Sequence, residues 1–270
     1  MNWFAPPSQE FAKRLDTAPL PALRATLDAL RIMGENPDRA DANSLSEIVL
    51  RDPLMCARLL GSCSKSSSPL ASPPKTVTAA LLLTGTDRFF ESTLDVPCLE
   101  DALADHPHAI DAAMHCVERS WDAARLAVTF AIHRQDEDAE VEQQAALLGD
   151  VTELFAWTLF PQEMLSIASR QRAMPKLRSA QAQLDVLGID LQDTRDSWLE
   201  ARGINEAVRA LLLPTQTSSA ARSVRLALRT ARHLQHGWHD AGLPDDFAET
   251  GALLHITPHA TAQLVRQAIV

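Results

Sequence analysis

Between its prolines and glycines this chain is written almost entirely with helical period. That feature constrains its fold more than any other. Apolar residues recur three or four apart, as at Leu23, Leu27, Leu30 and Met33. No segment alternates apolar and polar residues between hairpin turns. Only 9 of 270 residues are glycine, against a usual ~7%, and low glycine with abundant Ala and Leu favours helices over a sandwich. The expected class is all-α, with two packed helical subdomains.

Start and stop signals place the segments. Ser44 to Glu47 reads as a capping box, with Ser44 as the cap. Asp52-Pro53 is the strongest start signal, because Asp accepts orphan N–H groups and Pro suits the first helical position. Thr76 to Leu83 reads as a short helix stopped by Gly85. His108 to about Arg134 and Val141 to Phe160 each read as one unbroken helix, and Pro161 restarts the chain. Further helices are expected over Ser179 to Leu187, Asp190 to Gly203, Ala207 to Leu213 and Thr217 to about His239, with Thr257-Pro258 opening the last. The polar loop from Ser66 to Pro74 and the acidic stretch from Asp95 to Pro107 are candidate boundaries. The second is preferred, dividing the chain into 1–105 and 106–270.

Composition narrows the function classes. The formal charge is -10, which argues against a general nucleic-acid coat or an anchor on anionic lipid. Apolar residues make up 46%, enough for a core. Four cysteines without a CxxC pair are read as small buried groups in a reducing compartment. The first ten residues lack the pattern of a signal peptide, and no apolar run approaches the ~18 residues of a membrane span. A cytoplasmic setting is expected, without membrane association.

Several residue patterns are candidate sites. Arg222, Arg225, Arg229 and Arg232 are spaced 3, 4 and 3 apart, on one helical face with no acid between Ser218 and Leu234. This stripe is a solvated face, an internal match to the acidic half of the chain, or a docking stripe for an acidic partner or phosphate-bearing ligand. His233, His236 and His239 recur every three residues, so His233 and His236 are weak metal candidates, with His255 or His259 to complete a site. Their bland alternative is a partly exposed helix end. Asp136, Glu137, Asp138, Glu140 and Glu142 read as acids favouring a helix start. Trp121, Trp157, Trp198 and Trp238 read as packing anchors in helices. No nucleophile elbow, dinucleotide fingerprint or P-loop is present.

Five pieces in order resemble a known family. They are Glu47 to Pro53 followed by Ala57-Arg58-Leu59-Leu60, then Thr76-Val77 with Ala80 to Leu83 and Gly85, then Leu147 to Val151, Leu187 to Asp190, and Val208-Arg209. Together they resemble the HDOD domain, a catalytically altered relative of the HD phosphohydrolases, over about residues 20–213. The resemblance implies an all-helical scaffold. It also implies that Gly149-Asp150 stands where the family writes His-Asp. Histidine is also missing from Val117 to Ala124, from Leu191 and from Ala210 to Leu213, all places where relatives carry it. Asp150 alone is a poor metal site, since a catalytic divalent metal needs three or more convergent ligands.

The expected function is therefore a non-catalytic signal-transduction module, needing no cofactor, that binds a protein partner or a small regulatory ligand. Self-association is left open. Two alternatives remain. One is a metal-dependent phosphohydrolase with relocated ligands, Asp150 and the 233–239 histidines. The other is a regulator that binds phosphate or nucleic acid through the arginine stripe.

Overall fold

A computed structural model describes residues 8–36, 40–66, 72–174 and 176–269. The described residues are helical almost throughout and form no sheet; one isolated bridge pairs Ala22 with Cys98. The first seven helices are α1 (Ser8–Thr17), α2 (Arg24–Gly34), α3 (Ala42–Val49), α4 (Pro53–Ser66), α5 (Val77–Thr84), α6 (Thr86–Thr93) and α7 (Leu99–Ala102). After them come α8 (Pro107–His133), α9 (Ala139–Leu147), α10 (Val151–Leu159), α11 (Pro161–Ala173) and α12 (Ser179–Leu187). The last five are α13 (Leu191–Ala201), α14 (Glu206–Ala210), α15 (Ser219–Leu234), α16 (Leu243–Leu254) and α17 (Pro258–Ile269).

The punctuation explains most boundaries. Asp52 Oδ1 accepts from the Leu54 and Met55 N–H groups at 3.0 Å, capping α4 as its Asp-Pro start predicts. Gly188 closes α12 in the left-handed region at φ 73°, which a residue without Cβ adopts at no steric cost. Gly85 ends α5 at φ 78° and at once opens α6, a helix the sequence reading did not anticipate. Ser44 is not a cap: it lies inside α3, where its N–H donates to the true cap, Asp41 Oδ1, at 2.7 Å. Trp238 also departs from expectation, lying past the end of α15 and 39% exposed, with Arg266 over its ring at 4.9 Å. Of the four cysteines Cys98 is only half-buried and the other three are buried.

The largest departure divides Val141 to Phe160. Two helices, α9 and α10, replace the single helix expected, broken at Leu148-Gly149-Asp150. The Gly149 carbonyl accepts from Arg195 Nη1 at 2.8 Å, and Gly149 N–H turns back to the Ala146 carbonyl at 3.0 Å. Glycine weakens a helix by about 1 kcal/mol, and here side chains from other helices claim the backbone and side-chain groups of the turn.

The centre of the molecule is α8. Its buried residues are mostly small, among them Ala109, Ala113, Cys116, Ser120, Ala123 and Ala127, beside Val117, Leu126 and Phe130. Small side chains let helices approach closely, and α9 and α15, which pack against α8, bury small residues of their own, Ala145, Ala146, Ala227 and Ala231. Buried residues from both halves of the chain join one continuous core.

Candidate functional site

The α9–α10 break delivers Asp150 to the middle of the molecule, 4% exposed. Three helices supply it with guanidinium groups. From α8, Arg119 Nε donates to Asp150 Oδ2 at 2.6 Å, and its Nη2 pairs with Glu153 at 2.9 Å. From α15, Arg232 Nη2 donates to Asp150 Oδ1 at 3.0 Å. From α13, buried Arg195 donates to the carbonyls of Gly149 and Leu212, at 2.8 and 2.7 Å. Burial pushes the Asp150 carboxyl up, but Arg119, Arg232 and Arg195 outweigh it and hold the group well below the ordinary carboxylate range. The same exchange holds Arg119 firmly charged despite its burial. Gln192 completes the arrangement: in the orientation that satisfies both groups, its amide oxygen accepts from Arg232 at 2.8 Å.

The stripe converges as its spacing predicts. Arg222, Arg225, Arg229 and Arg232 all line one cavity of about 350 Å³, together with Asp150, Gln192, Arg195 and Glu249. The α15 helix turns its other face inward through Ala221, Val224 and Ala227, which leaves the arginine face towards the cavity. Arg225 Nη1 is anchored on the Gln216 carbonyl at 2.6 Å. Arg229 is held by α16, with Nε on Asp246 at 2.5 Å and Nη2 on Glu249 at 2.9 Å. A second cavity, of about 750 Å³, lies on the other side of Asp150, Gln192 and Arg232, which border both.

The histidine candidates pair with separate carboxylates. His233 Nδ1 lies 2.6 Å from Asp246, and His236 Nδ1 lies 3.1 Å from Asp240. Among the described residues no group of three or more His, Cys, Asp or Glu is placed to hold a metal ion. At position 149 a Cβ would stand 2.2 Å from Leu228 Cδ2, so α15 occupies the space a side chain there would need. These residues do not fit a catalytic divalent metal: the one central carboxylate already faces guanidinium groups on both oxygens.

Arg119, Arg195, Gln192, Asp246 and Glu249 escaped the sequence reading. For Arg119 a signal existed, since it lies beside the small-residue face that runs through Cys116, Ser120 and Ala123. An arginine there needs buried acceptors to pair with. Arg195 carried no such local mark; its partners are backbone carbonyls 46 and 17 residues away.

The arrangement resembles known proteins at the level of fold. A family model of the HDOD domain matches residues 20–200. The MmoQ response regulator of Methylococcus capsulatus str. Bath superposes with a TM-score of 0.69 at 19% identity, covering 92% of this chain and 98% of that one. A virulence factor of Campylobacter jejuni subsp. jejuni gives 0.66 at 18% identity, covering 96% and 90%. An HDOD domain protein of unknown function from Geobacter sulfurreducens gives 0.51 at 15% identity, covering 97% and 93%. No curated protein matches the sequence.

Proposed function

This chain belongs to the HDOD domain family, and from that premise we propose that it is a regulatory module that works by binding rather than by hydrolysis. One observation carries the proposal. At the place where the resemblance puts a metal-binding His-Asp pair, Gly149 is packed against Leu228, and Asp150 is paired with Arg119 and Arg232. Two guanidinium groups already neutralise that carboxylate, and they repel a divalent cation. The cluster ties together α8, α13, α15 and the α9–α10 turn. A buried ion network that joins several helices suits a rigid binding scaffold. The MmoQ neighbour, described as a response regulator, supports a role in signalling. The output would be a protein partner or a small regulatory ligand. No described helix is long and apolar enough to cross a membrane.

The test is a phosphoester hydrolysis assay on untagged protein with Mg²⁺ or Mn²⁺, alongside elemental analysis. The expected results are no turnover above buffer and no stoichiometric metal. Turnover that a chelator abolishes, and that is lost in Asp150→Ala, would overturn the proposal.

A further inference from the structure

Building on that regulatory reading, we infer that the arginine-lined cavity binds a small phosphorylated molecule. Five guanidinium groups line it, Arg195, Arg222, Arg225, Arg229 and Arg232, against two carboxylates, Asp150 and Glu249. Both carboxylates are already engaged, by Arg232 and Arg119 and by Arg229. The other three arginines have no carboxylate within ion-pair distance among the described residues. Arg195 is 9% exposed and makes two bonds to carbonyls, while its Nε is buried with no hydrogen-bond partner. Arg225 is pinned through Nη1 to the carbonyls of Leu213 and Gln216, at 3.3 and 2.6 Å. Arg222 stands exposed beside the cavity.

Asp150, the main counter-charge near Arg195, is already shared with Arg119 and Arg232, and an anion in the cavity offsets the remaining cost of burying that guanidinium. The surplus is local, since the chain as a whole carries -10. Phosphate suits the site better than carboxylate. A phosphoryl group offers three oxygens, so several planar guanidinium forks engage it at once, where a carboxylate saturates with two. About 350 Å³ lies at the small end of ligand sites. Leu212, Pro214 and Leu226 supply an apolar wall for the carbon skeleton. A nucleic-acid duplex, by contrast, would approach against the net negative charge.

The test is calorimetric titration of the full chain with inorganic pyrophosphate and with adenosine monophosphate, with orthophosphate release followed in parallel. The expected result is saturable one-site binding of at least one probe, weakening as salt rises. Arg222→Ala and Arg225→Ala should each weaken it at least about tenfold, the loss expected for one charge-assisted hydrogen bond. Arg266→Ala, whose guanidinium lies over Trp238, should leave it unchanged. Arg222 is exposed, so its variant folds even if Arg225→Ala disturbs the loop it anchors. No binding of either probe at millimolar concentration overturns the inference. So does citrate binding as tightly as both probes, a short DNA duplex binding in their place, or affinity untouched by Arg222→Ala. Orthophosphate release with binding intact would sink the non-hydrolytic proposal yet leave the cavity assignment standing. Absence of binding does the reverse.

Discussion

Asp150 compensates the positive charge of Arg119 and Arg232 and faces Arg195 nearby. Removing one partner of such a buried network leaves uncompensated charge, a cost of about 3–5 kcal/mol. Asp150→Ala is therefore expected to lower the unfolding free energy read from urea titration by that order; a change below about 1 kcal/mol would mean the network is dispensable. The pH dependence has a definite sign. A carboxyl held below its ordinary value of 3.8 contributes stability that is complete above that pH and fades as pH falls below it. Next to it, Gly149→Ala forces a Cβ to within 2.2 Å of Leu228 Cδ2 and 3.0 Å of the Ala146 carbonyl. Overpacking of this kind costs about 1–3 kcal/mol. Pairing the change with Leu228→Ala should recover part of the loss, and thermal melts of the two variants measure it. The glycine was visible in the sequence as a missing histidine; the leucine that fills its place was not, because 79 residues separate them.

At the scale of elements, capping chemistry was the most legible signal. The Asp52-Pro53 start of α4 was predicted and found, but the same carboxylate also reaches across the fold. Its Oδ2 accepts from Leu23 N–H at 2.7 Å, at the cap position of α2. Burial raises the Asp52 carboxyl from 3.8 to about 6, against the pull of the three N–H donors. Its folded pKa is raised, so this contribution to stability is complete below pH 3.8 and is lost as pH climbs to about 6. Glu142, raised by burial from 4.5 to about 7, acts in the same direction. Asp52→Asn should flatten the stability slope between those pH values relative to the parent, read by urea titrations at a series of pH. It should also cost about 1–3 kcal/mol, because an amide N–H₂ then faces backbone donors. The α9–α10 break illustrates the limit of element-level signals. A lone glycine in a helical pattern is compatible with continuity, and the residues that interrupt this one come from α13 and α15.

Across the whole molecule, the boundary at 105 is spanned by specific bonds. Val77 N–H donates to Gln144 Oε1 at 2.9 Å, Trp121 Nε1 donates to the Arg51 carbonyl at 2.7 Å, and Asn205 Nδ2 donates to the Pro73 carbonyl. Trp198 and Arg202 of the second half both donate to the Leu15 carbonyl of α1, at 3.0 and 2.8 Å, and Trp198 is 2% exposed. With one core shared between the halves, we propose that residues 1–105 and 106–270 unfold together. Calorimetry should show one transition whose van't Hoff and calorimetric enthalpies agree; two resolved transitions would establish separate units. Trp198→Ala should lower the stability of that single transition by about 3–5 kcal/mol.

The all-α class, most helix boundaries, the arginine stripe and the vacancy at position 149 were all determined by the sequence itself. Each depends on interactions within a few residues: periodicity, caps, and the side chain a position does or does not carry. Tertiary structure alone decided that the stripe lines an open cavity where its Arg232 reaches Asp150, that Arg119 and Arg195 converge on the same carboxylate, and that Leu228 fills the gap beside Gly149. Those contacts join residues up to 82 apart, as Asp150 and Arg232 are. No local propensity encodes them. They follow from how α8, α9 and α15 pack, because close packing brings the Asp150 carboxylate against guanidinium groups from neighbouring helices.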